Sequence, residues 1–491
     1  MRTIVSFRHP LLSFLVLLSI LLVPARDSYG QNEPGTLLSA EEVGSVSSAV
    51  ITLGLVALDA FDPDETIYDV TLYKITYHTV DVFGNPTIAS GAMYVPLTGT
   101  DSLPIISYQH GTVLDRNKVP SRSSEDPSGL FYSAYGFVTT LPDYLGMGDN
   151  PGLHPYLHWE SEATASLDLI RAGRQFLNDS LQIGDSQLFL TGYSQGGHAT
   201  MALHKYIQVN NLKDEFDVVA SAPMSGPYSL SYAQYDHIFN EDSTYNGSYY
   251  LPYIIASYQY VYGNLYQDYD EYYDPPYDSI FEAWETSGIF FDNYPIESFP
   301  KNPYEFMQDS VLDNVQSDPG HPLRVALRKN DLHNWAPLEP VMMVYCGMDE
   351  TVAPANSTST LDTMLMLGAT DVEAVNVNQE GNHTTCAIPA YLYALDWFKG
   401  FLDSQPVNSP IFSAETEIRV FPNPVQAVLT VETSVPGSYG LEIRAVNGQL
   451  VYSYNLEGDL HRIDLSSFEK GVYFVTVRSN KAVTTRKIVK L

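Results

Sequence analysis

Residues 187–197 have the sequence QLFLTGYSQGG, and this stretch decides the fold. An apolar, strand-like run comes first, the pattern G-x-S-x-G follows at Gly192, Ser194 and Gly196, and a helical pattern begins directly afterwards. Glycines two positions before and two positions after a serine allow a turn too tight for side chains there. The serine then stands exposed at a helix N-terminus, where developing negative charge is favourable. We therefore interpret Ser194 as a nucleophile; the alternative is a glycine-rich turn with an idle serine.

Strand and helix patterns alternate over residues 70–402. Alternation of this kind predicts an α/β fold with a mostly parallel sheet flanked by helices. The two earliest strands are joined by a short turn and are expected to form an antiparallel edge of the sheet. The predicted strands are 70–80, 87–95, 104–108, 137–141, 188–191, 218–222, 341–345 and 372–377. The predicted helices are 160–179, 196–208, 357–367 and 390–402.

A nucleophilic serine needs a base, and the base needs a carboxylate that orients it. When a serine stands on an elbow of this kind, the acid and then the histidine follow it along the chain. Asp349 follows the strand 341–345, and Glu350 is the competing candidate one residue further on. His383 follows the last predicted strand of the sheet, whereas other histidines precede the acid or lie near the C-terminus. The sequence thus predicts Ser194, Asp349 and His383 as a catalytic set.

A nucleophilic serine also needs hydrogen-bond donors for the negatively charged oxygen that forms on the substrate. A His-Gly segment follows the strand 104–108, and we expect the backbone N–H of Gly111 or Thr112 to serve there. The second donor is predicted to be the backbone N–H of Gln195, which follows the nucleophile, while Tyr193 completes the turn before it. Loss of one such donor typically lowers the rate by about 10²–10³-fold.

The elbow, the order of the three residues and the His-Gly segment together resemble the α/β-hydrolase superfamily across about residues 65–403. The closer resemblance is to secretory lipases and related esterases, through residues 142–148 (PDYLGMG), 154–156 (HPY) and 171–172 (RA). This resemblance implies a serine hydrolase that cleaves carboxylic esters through an acyl-enzyme, without a cofactor or a metal. Two alternatives stay open: a peptidase acting on short peptides, and a non-catalytic surface binding protein on a hydrolase fold. Asp143 is either a catalytic accessory or a structural carboxylate that caps its loop, and we favour the structural role.

The chain between Ser194 and Asp349 is longer than two strand–helix units require. We assign the excess to a cap inserted at about residues 225–335. Fifteen tyrosines fall within residues 228–277, and they either cover an acyl or aromatic substrate or pack the core of the cap. The acidic run 267–274 lacks the twelve-residue calcium loop, so no metal site is predicted.

The N-terminus has the pattern of a secretory signal peptide. Two arginines precede the apolar run 11–23, and small residues lie near residue 30. This run is short for a membrane span, although an N-terminal anchor is the alternative. We expect cleavage after residue 30 and a mature, exported chain without a transmembrane segment.

Residues 415–491 read as a separate all-β module, predicted to be a small sandwich, behind the polar linker 405–414. Short alternating runs lie on both sides of Asn447-Gly448, a strong hairpin signal. The order of 420–424 (VFPNP), this turn, 471–473 (GVY) and the basic end 487–491 (KIVKL) resembles the C-terminal sorting domain of type IX secretion. The resemblance implies the type IX machinery as partner and a protein released outside the cell or kept on its surface. An ordinary carbohydrate-binding or adhesive sandwich is the alternative. The catalytic domain is therefore expected at residues 31–404.

The composition excludes several classes of protein. Hydrophobic residues make up 44% of the 491 residues, which excludes a chain that is disordered throughout. The formal net charge of −33 argues against nucleic acid and anionic lipid surfaces as partners. The first 30 and the last 77 residues are each slightly basic, so the acidic excess lies between them.

The chain has two cysteines, Cys346 and Cys386. Cys346 lies three residues before Asp349, and Cys386 lies three residues after His383. If Asp349 and His383 are hydrogen-bonded, their loops are neighbours, and an exported protein meets an oxidising environment. We therefore expect a disulfide between the two; the alternative is a pair of buried free thiols.

Overall fold

A computed structural model describes residues 33–58, 60, 65–123, 126–239, 245, 247–287, 298–403, 418–445, 450–478 and 483–491. The chain forms two compact units, which divide between residues 404 and 405. We refer to them as the N-terminal and the C-terminal unit. The predicted signal peptide and linker lie outside the described residues.

The N-terminal unit is built on one mixed sheet, with nine strands in the described residues. The strands are β1 (Leu37–Val46), β2 (Val70–Val80), β3 (Pro86–Pro96), β4 (Ser102–Gln109), β5 (Val138–Pro142), β6 (Gly184–Tyr193), β7 (Val218–Met224), β8 (Val341–Cys346) and β9 (Val372–Asn378). Their order across the sheet is β1-β2-β3-β5-β4-β6-β7-β8-β9. The pairs β1–β2, β2–β3 and β3–β5 are antiparallel, and the remaining pairs, from β5–β4 to β8–β9, are parallel. The predicted α/β architecture with a mostly parallel sheet is confirmed.

The edge of the sheet differs from the prediction. The predicted hairpin of β2 and β3 is present, with Val80 opposite Pro86 at its turn. β1 pairs outside β2, however, so the prediction that this hairpin forms the edge was wrong. β1 is mostly exposed and has two register irregularities. A strand of this kind does not need the regular alternation of a half-buried strand, so the sequence pattern did not predict it.

Helices cover both faces of the sheet. One apolar core contains side chains of the helices at 127–134 and 383–403, including Phe131 and Phe398, and another contains side chains of the helices at 159–176 and 195–209, including Leu169 and Leu203. The helices of the N-terminal unit, in chain order, are α1 (Ser48–Ala57), α2 (Pro127–Ala134), α3 (Trp159–Phe176), α4 (Gln195–Val209), α5 (Ala233–Ile238), α6 (Tyr250–Tyr262), α7 (Tyr277–Ser287), α8 (Asp309–Ser317), α9 (Pro322–Lys329), α10 (Ala355–Met366) and α11 (His383–Asp403). Among the described residues, no helix combines the length and apolar character needed to cross a bilayer.

Helices α5 to α9 form an insertion between β7 and β8, where the cap was predicted. They share an apolar cluster with the loops that carry Val119 and Tyr156. Tyr253, Tyr258 and Tyr273 are almost fully buried in this cluster, so these tyrosines pack the insertion itself. Tyr250, at the start of α6, instead lines a pocket beside Ser194.

The C-terminal unit is all β. Its strands in the described residues are β10 (Ile418–Phe421), β11 (Val428–Ala445), β12 (Leu450–Asp464), β13 (Gly471–Arg478) and β14 (Val483–Lys490). They pair antiparallel as one hydrogen-bonded sheet. Apolar side chains from both ends of β11, including Val431 and Ile443, share one core. The two-sheet sandwich stays a prediction, and the predicted turn at 447–448 lies outside the described residues.

Candidate active site

Ser194 lies on a sharp turn between β6 and α4. Its φ of 61° and ψ of −121° place a non-glycine residue in a strained backbone conformation. A Cβ built on Gly196 would lie 1.8 Å from the backbone oxygen of Gln109, and one built on Gly192 would lie 2.5 Å from it. Both glycines are therefore required for the approach of this turn to β4. The local sequence thus forces the Ser194 side chain out of the carboxyl end of the sheet.

The structure brings Ser194, His383 and Asp349 into one hydrogen-bonded chain. The distance from His383 Nδ1 to Asp349 Oδ2 is 2.7 Å, and that from His383 Nε2 to Ser194 Oγ is 2.9 Å. Because an ionised carboxylate only accepts, Nδ1 carries the proton, and Nε2 is left to accept the serine hydroxyl. This tautomer is the one in which a histidine removes a proton from a serine.

The two neighbouring carboxylates have different partners. The Asp349 side chain is almost fully buried, and its Oδ1 accepts hydrogen bonds from the backbone N–H of Thr351 and of Val352. Glu350 Oε2 accepts from the backbone N–H of His383 at 3.0 Å, whereas the ring nitrogens are hydrogen-bonded to Asp349 and Ser194. Asp349 is therefore the carboxylate that faces the imidazole, whereas Glu350 holds the main chain at the start of α11.

The predicted hydrogen-bond donors lie around Ser194. Gln195 is the first residue of α4, and the N–H of a first helical residue has no partner within its helix. The N–H of Ser194 is not available, because it donates to the Met224 oxygen at 3.0 Å. A Cβ built on Gly111 would lie 3.7 Å from Ser194 Cβ, so the Gly111 backbone is adjacent to the serine. The hydroxyl of Thr112 is hydrogen-bonded to that of Tyr156 at 2.8 Å.

Ser194 and His383 open into a pocket of about 390 Å³, whose lining also includes Gly111 and Thr112. Most of the other large side chains that line it are tyrosines, and a lysine and an aspartate contribute charges. The hydroxyls of Tyr108 and Tyr391 lie 2.5 Å apart, and burial raises the pKa of both. The tyrosines that line the pocket are Tyr108, Tyr193, Tyr250 and Tyr391, and the two charged residues are Lys118 and Asp126. Sequence reasoning missed Tyr391, although it lies in the predicted helix 390–402, because no local pattern shows that this helix packs beside the pocket. The helix begins at His383, with Pro389 inside it.

Asp143 has a structural environment. It is fully buried, and it accepts hydrogen bonds from the Ser90 hydroxyl at 2.6 Å and the Ser121 backbone N–H at 2.9 Å. Burial raises the pKa of this carboxyl above its usual range. Asp143 does not line the Ser194 pocket. These contacts support the structural role that we favoured from the sequence.

The predicted disulfide is present. Cys346 and Cys386 are bonded, with their Cα atoms 5.8 Å apart, and both residues are completely buried. Cys346 is the last residue of β8, and Cys386 lies in the first turn of α11. The bond thus joins the strand that precedes Asp349 to the helix that begins with His383.

No group of three or more His, Cys, Asp or Glu side chains with the arrangement of a metal site occurs in the part of the chain that the structure describes. Within the acidic run 267–274, the Glu271 carboxylate accepts a hydrogen bond from the backbone N–H of Gln267. That side chain therefore stabilises its own loop.

The mixed sheet flanked by helices fits the α/β-hydrolase fold, and comparison with solved structures supports this class. The esterase LipA from Xanthomonas oryzae, described as rice cell wall degrading, has 27% sequence identity and a TM-score of 0.67; the match covers 76% of this chain and 100% of LipA. A putative hydrolase from Legionella pneumophila has 28% identity and a TM-score of 0.68, with the same two coverages. Lipase A from Candida antarctica in its closed state has 16% identity and a TM-score of 0.56, covering 76% of this chain and 84% of the lipase, and this likeness shows the fold alone.

Residues 419–491 match the family described as the secretion system C-terminal sorting domain. The sequence-based resemblance of the C-terminal module to a sorting domain is thereby confirmed. Comparison with curated proteins gave no match.

Proposed function

We propose that the N-terminal unit is a serine hydrolase that cleaves carboxylic esters. The observation that carries this proposal is the hydrogen-bonded chain from Ser194 Oγ through His383 to Asp349, at distances of 2.9 and 2.7 Å. The position of Ser194 on a strand–turn–helix elbow supports it. The similarity to an esterase at 27% identity over the full length of that esterase supports the ester as substrate.

The first half of the reaction forms an acyl-enzyme. Ser194 Oγ attacks the carbonyl carbon of the ester while His383 Nε2 takes the serine proton. The carbonyl oxygen becomes negatively charged and accepts hydrogen bonds from the N–H of Gln195 and of Gly111 or Thr112. The C–O bond to the alcohol then breaks, and His383 returns its proton to the leaving oxygen. Asp349 stabilises the positive charge that His383 carries between these two transfers.

The second half releases the acid. A water molecule gives a proton to His383 Nε2 and attacks the acyl carbon, the same donors stabilise the oxygen, and His383 then protonates Ser194 Oγ as it leaves. All proton transfers in this cycle use side chains of the chain itself, so the proposal requires no cofactor and no metal.

We propose that the mature enzyme acts outside the cell. Residues 1–30 direct export as a signal peptide, and the sorting domain engages the type IX machinery, which releases the enzyme or leaves it on the cell surface. The match of residues 419–491 to a sorting domain supports this route.

The test is a screen of p-nitrophenyl esters from acetate to palmitate against aminoacyl anilides, with Ser194→Ala as the control. We expect ester turnover that the control lacks. We also expect short-chain esters to be preferred, since tyrosines and polar groups rather than long aliphatic side chains line most of the pocket. Turnover of anilides alone would favour a peptidase, and turnover of neither substrate would favour a binding protein.

A further inference from the structure

A buried polar cluster lies directly behind Ser194, on the side of α4 that faces α3. Glu162 of α3 is 1% exposed, Gln195 is 1% exposed and His198 is completely buried. Gln195 Nε2 donates to Glu162 Oε1 at 3.0 Å, and His198 Nδ1 lies 2.6 Å from Glu162 Oε2. The hydroxyl–imidazole–carboxylate chain described above does not use Glu162 or His198. Burying a carboxylate is costly unless it is paired and hydrogen-bonded, so the cluster needs an explanation.

Each end of the cluster is anchored to the main chain. His198 Nε2 donates to the backbone oxygen of Asn330 at 3.1 Å, because a carbonyl can only accept. Asn330 itself is held by Tyr262 of α6 at 2.9 Å and by the backbone oxygen of Ala326 at 3.0 Å. Glu162 is therefore fixed through His198 by groups of the insertion that lies between β7 and β8.

A second histidine fixes the orientation of the Gln195 amide. His154 Nδ1 donates to the Leu145 backbone oxygen at 2.8 Å, so its Nε2 accepts from Gln195 Nε2 at 2.9 Å. Burial lowers the pKa of His154 to about 3, so this ring is neutral at pH 7. Both hydrogens of the Gln195 amide nitrogen are thus used, while its Oε1 has no partner among the described residues. A flipped amide would place its oxygen against a carboxylate and an imidazole lone pair, so the observed orientation is the only favourable one.

The geometry points to Glu162 as a positioning residue for the oxyanion donor: it holds the Gln195 side chain so that the Gln195 backbone N–H stays aimed at the substrate oxygen. This inference rests on the proposed function. A donor must be in place before charge develops, and a residue at the end of a helix is free to fray unless its side chain is tied down. Glu162 acts through Gln195 and does not touch the substrate.

The proposal distinguishes two substitutions of Glu162. In Glu162→Gln, the new carbonyl oxygen accepts from Gln195 and the new amide donates to His198 Nδ1, so the hydrogen-bonded frame survives without the carboxylate. In Glu162→Ala, the frame is lost. Gln195→Ala keeps the backbone donor but removes the side chain that anchors it.

The experiment measures kcat and KM with a p-nitrophenyl ester, together with inhibition by a trifluoromethyl ketone, whose adduct on the serine carries a charged oxygen. We expect Glu162→Ala to lower kcat by about 10–10²-fold, less than the loss of an oxyanion donor itself, because the backbone N–H is still present; KM should change by less than about threefold. The affinity for the ketone should fall in parallel. Glu162→Gln should keep most of kcat, and the double variant Glu162→Ala/Gln195→Ala should be no worse than either single variant, because both remove the same restraint.

Asp168→Asn is the matched control. Asp168 is also a buried carboxylate of α3, but it is hydrogen-bonded to Thr79 and Arg171, away from Ser194. The kcat of the Asp168→Asn variant should stay unchanged. An unchanged kcat in Glu162→Ala, or an equal loss of kcat in Glu162→Gln, would overturn the proposal. If Glu162→Ala does not fold, Gln195→Ala replaces it, and a full kcat in Gln195→Ala would overturn the proposal. Absence of ester turnover in the unsubstituted protein would instead contradict the proposed function.

Discussion

Two neighbouring carboxylates at the end of β8 illustrate how much a single position decides. Asp349 contacts the His383 ring, whereas Glu350 contacts the His383 backbone N–H. Chemically similar groups one residue apart thus face the same histidine from different directions. The consequences for catalysis should differ accordingly.

We expect Asp349→Asn to lower turnover by about 10⁴-fold, as in the serine-protease template, because an amide no longer stabilises the charged imidazole or its tautomer. Glu350→Gln should retain an acceptor for the His383 backbone and lose much less activity. Steady-state kinetics of the two variants at pH 8 checks this. If Glu350→Gln is the crippled variant and Asp349→Asn is nearly normal, the acid has been placed one residue too early.

His154 is expected to make the stability depend on pH. Its pKa is about 3 in the folded protein and 6.5 in an unfolded chain, so between these values the unfolded state binds more protons. The contribution of His154 to the free energy of unfolding should therefore fall as the pH is lowered from 6.5, by up to about 1.4 kcal/mol per pH unit. His158, whose pKa burial lowers to about 4, acts in the same direction.

Urea unfolding at pH 7, 6 and 5 measures this slope. His154→Gln removes one of these titrating histidines, so the stability of this variant should depend less steeply on pH than that of the unsubstituted protein. Equal slopes would show that the protonation of His154 is not coupled to folding.

The residues of the predicted catalytic set were accessible from the sequence because strand ends, an elbow motif and a fixed chain order are local signals. The cluster of Glu162, His198 and His154 was not. Within the sequence of α3, Glu162 is one acidic residue among several, and only the packing of α3 against α4 buries it. Tertiary burial of a polar residue leaves no periodic mark in the sequence.

At the scale of elements, the C-terminal end of β8 and the N-terminal end of α11 position Asp349 and His383. The disulfide from Cys346 to Cys386 joins them, and the hydrogen bonds from Asp349 and Glu350 to His383 lie within the same junction. α11 begins at His383, before the predicted start at residue 390, and Pro389, a residue that favours a helix boundary, lies inside it. β1 was missed because an exposed edge strand with acidic residues carries little alternation. α1 was missed because its sequence is apolar on most sides, although only Ile51 and Leu55 are buried, and so offered no helical period.

Removal of the disulfide is expected to lower both stability and turnover. The bond closes a segment of 40 residues, for which the chain-entropy model gives about 4 kcal/mol at most. The double variant Cys346→Ala/Cys386→Ala should therefore unfold at a lower temperature and hold His383 less firmly. Thermal unfolding with and without reductant measures the effect, and the double variant, which should not respond to reductant, is the control. Two titratable thiols in the unreduced, denatured protein would contradict the bond.

At the scale of the whole molecule, the chain divides between residues 404 and 405, at the start of the segment predicted as a linker. The change in charge between residues 31–414 and the C-terminal module pointed to this division. The strong acidity concerns the first unit alone. The two units also differ in fold, since one is α/β and the other all β, so they are suited to separate tasks.

Deletion of residues 415–491 is expected to block export without abolishing hydrolysis. The proposed catalytic residues all lie in the N-terminal unit, and the deleted part contains the whole match to the sorting domain. In the native host, the truncated protein should stay inside the cell envelope, and lysates should still hydrolyse p-nitrophenyl esters. Full-length Ser194→Ala is the control, since it should be exported without activity. Truncated protein in the medium or on the cell surface would contradict the sorting role.

The central claim is that His383 and Asp349 activate Ser194 as a nucleophile, and covalent labelling tests it most directly. The protein is treated with a fluorophosphonate and analysed by mass spectrometry of the intact chain and its peptides. The account predicts one adduct, on the peptide that contains Ser194, formed together with loss of ester turnover and absent in Ser194→Ala. An adduct on another residue, or ester turnover that persists in Ser194→Ala, would contradict it.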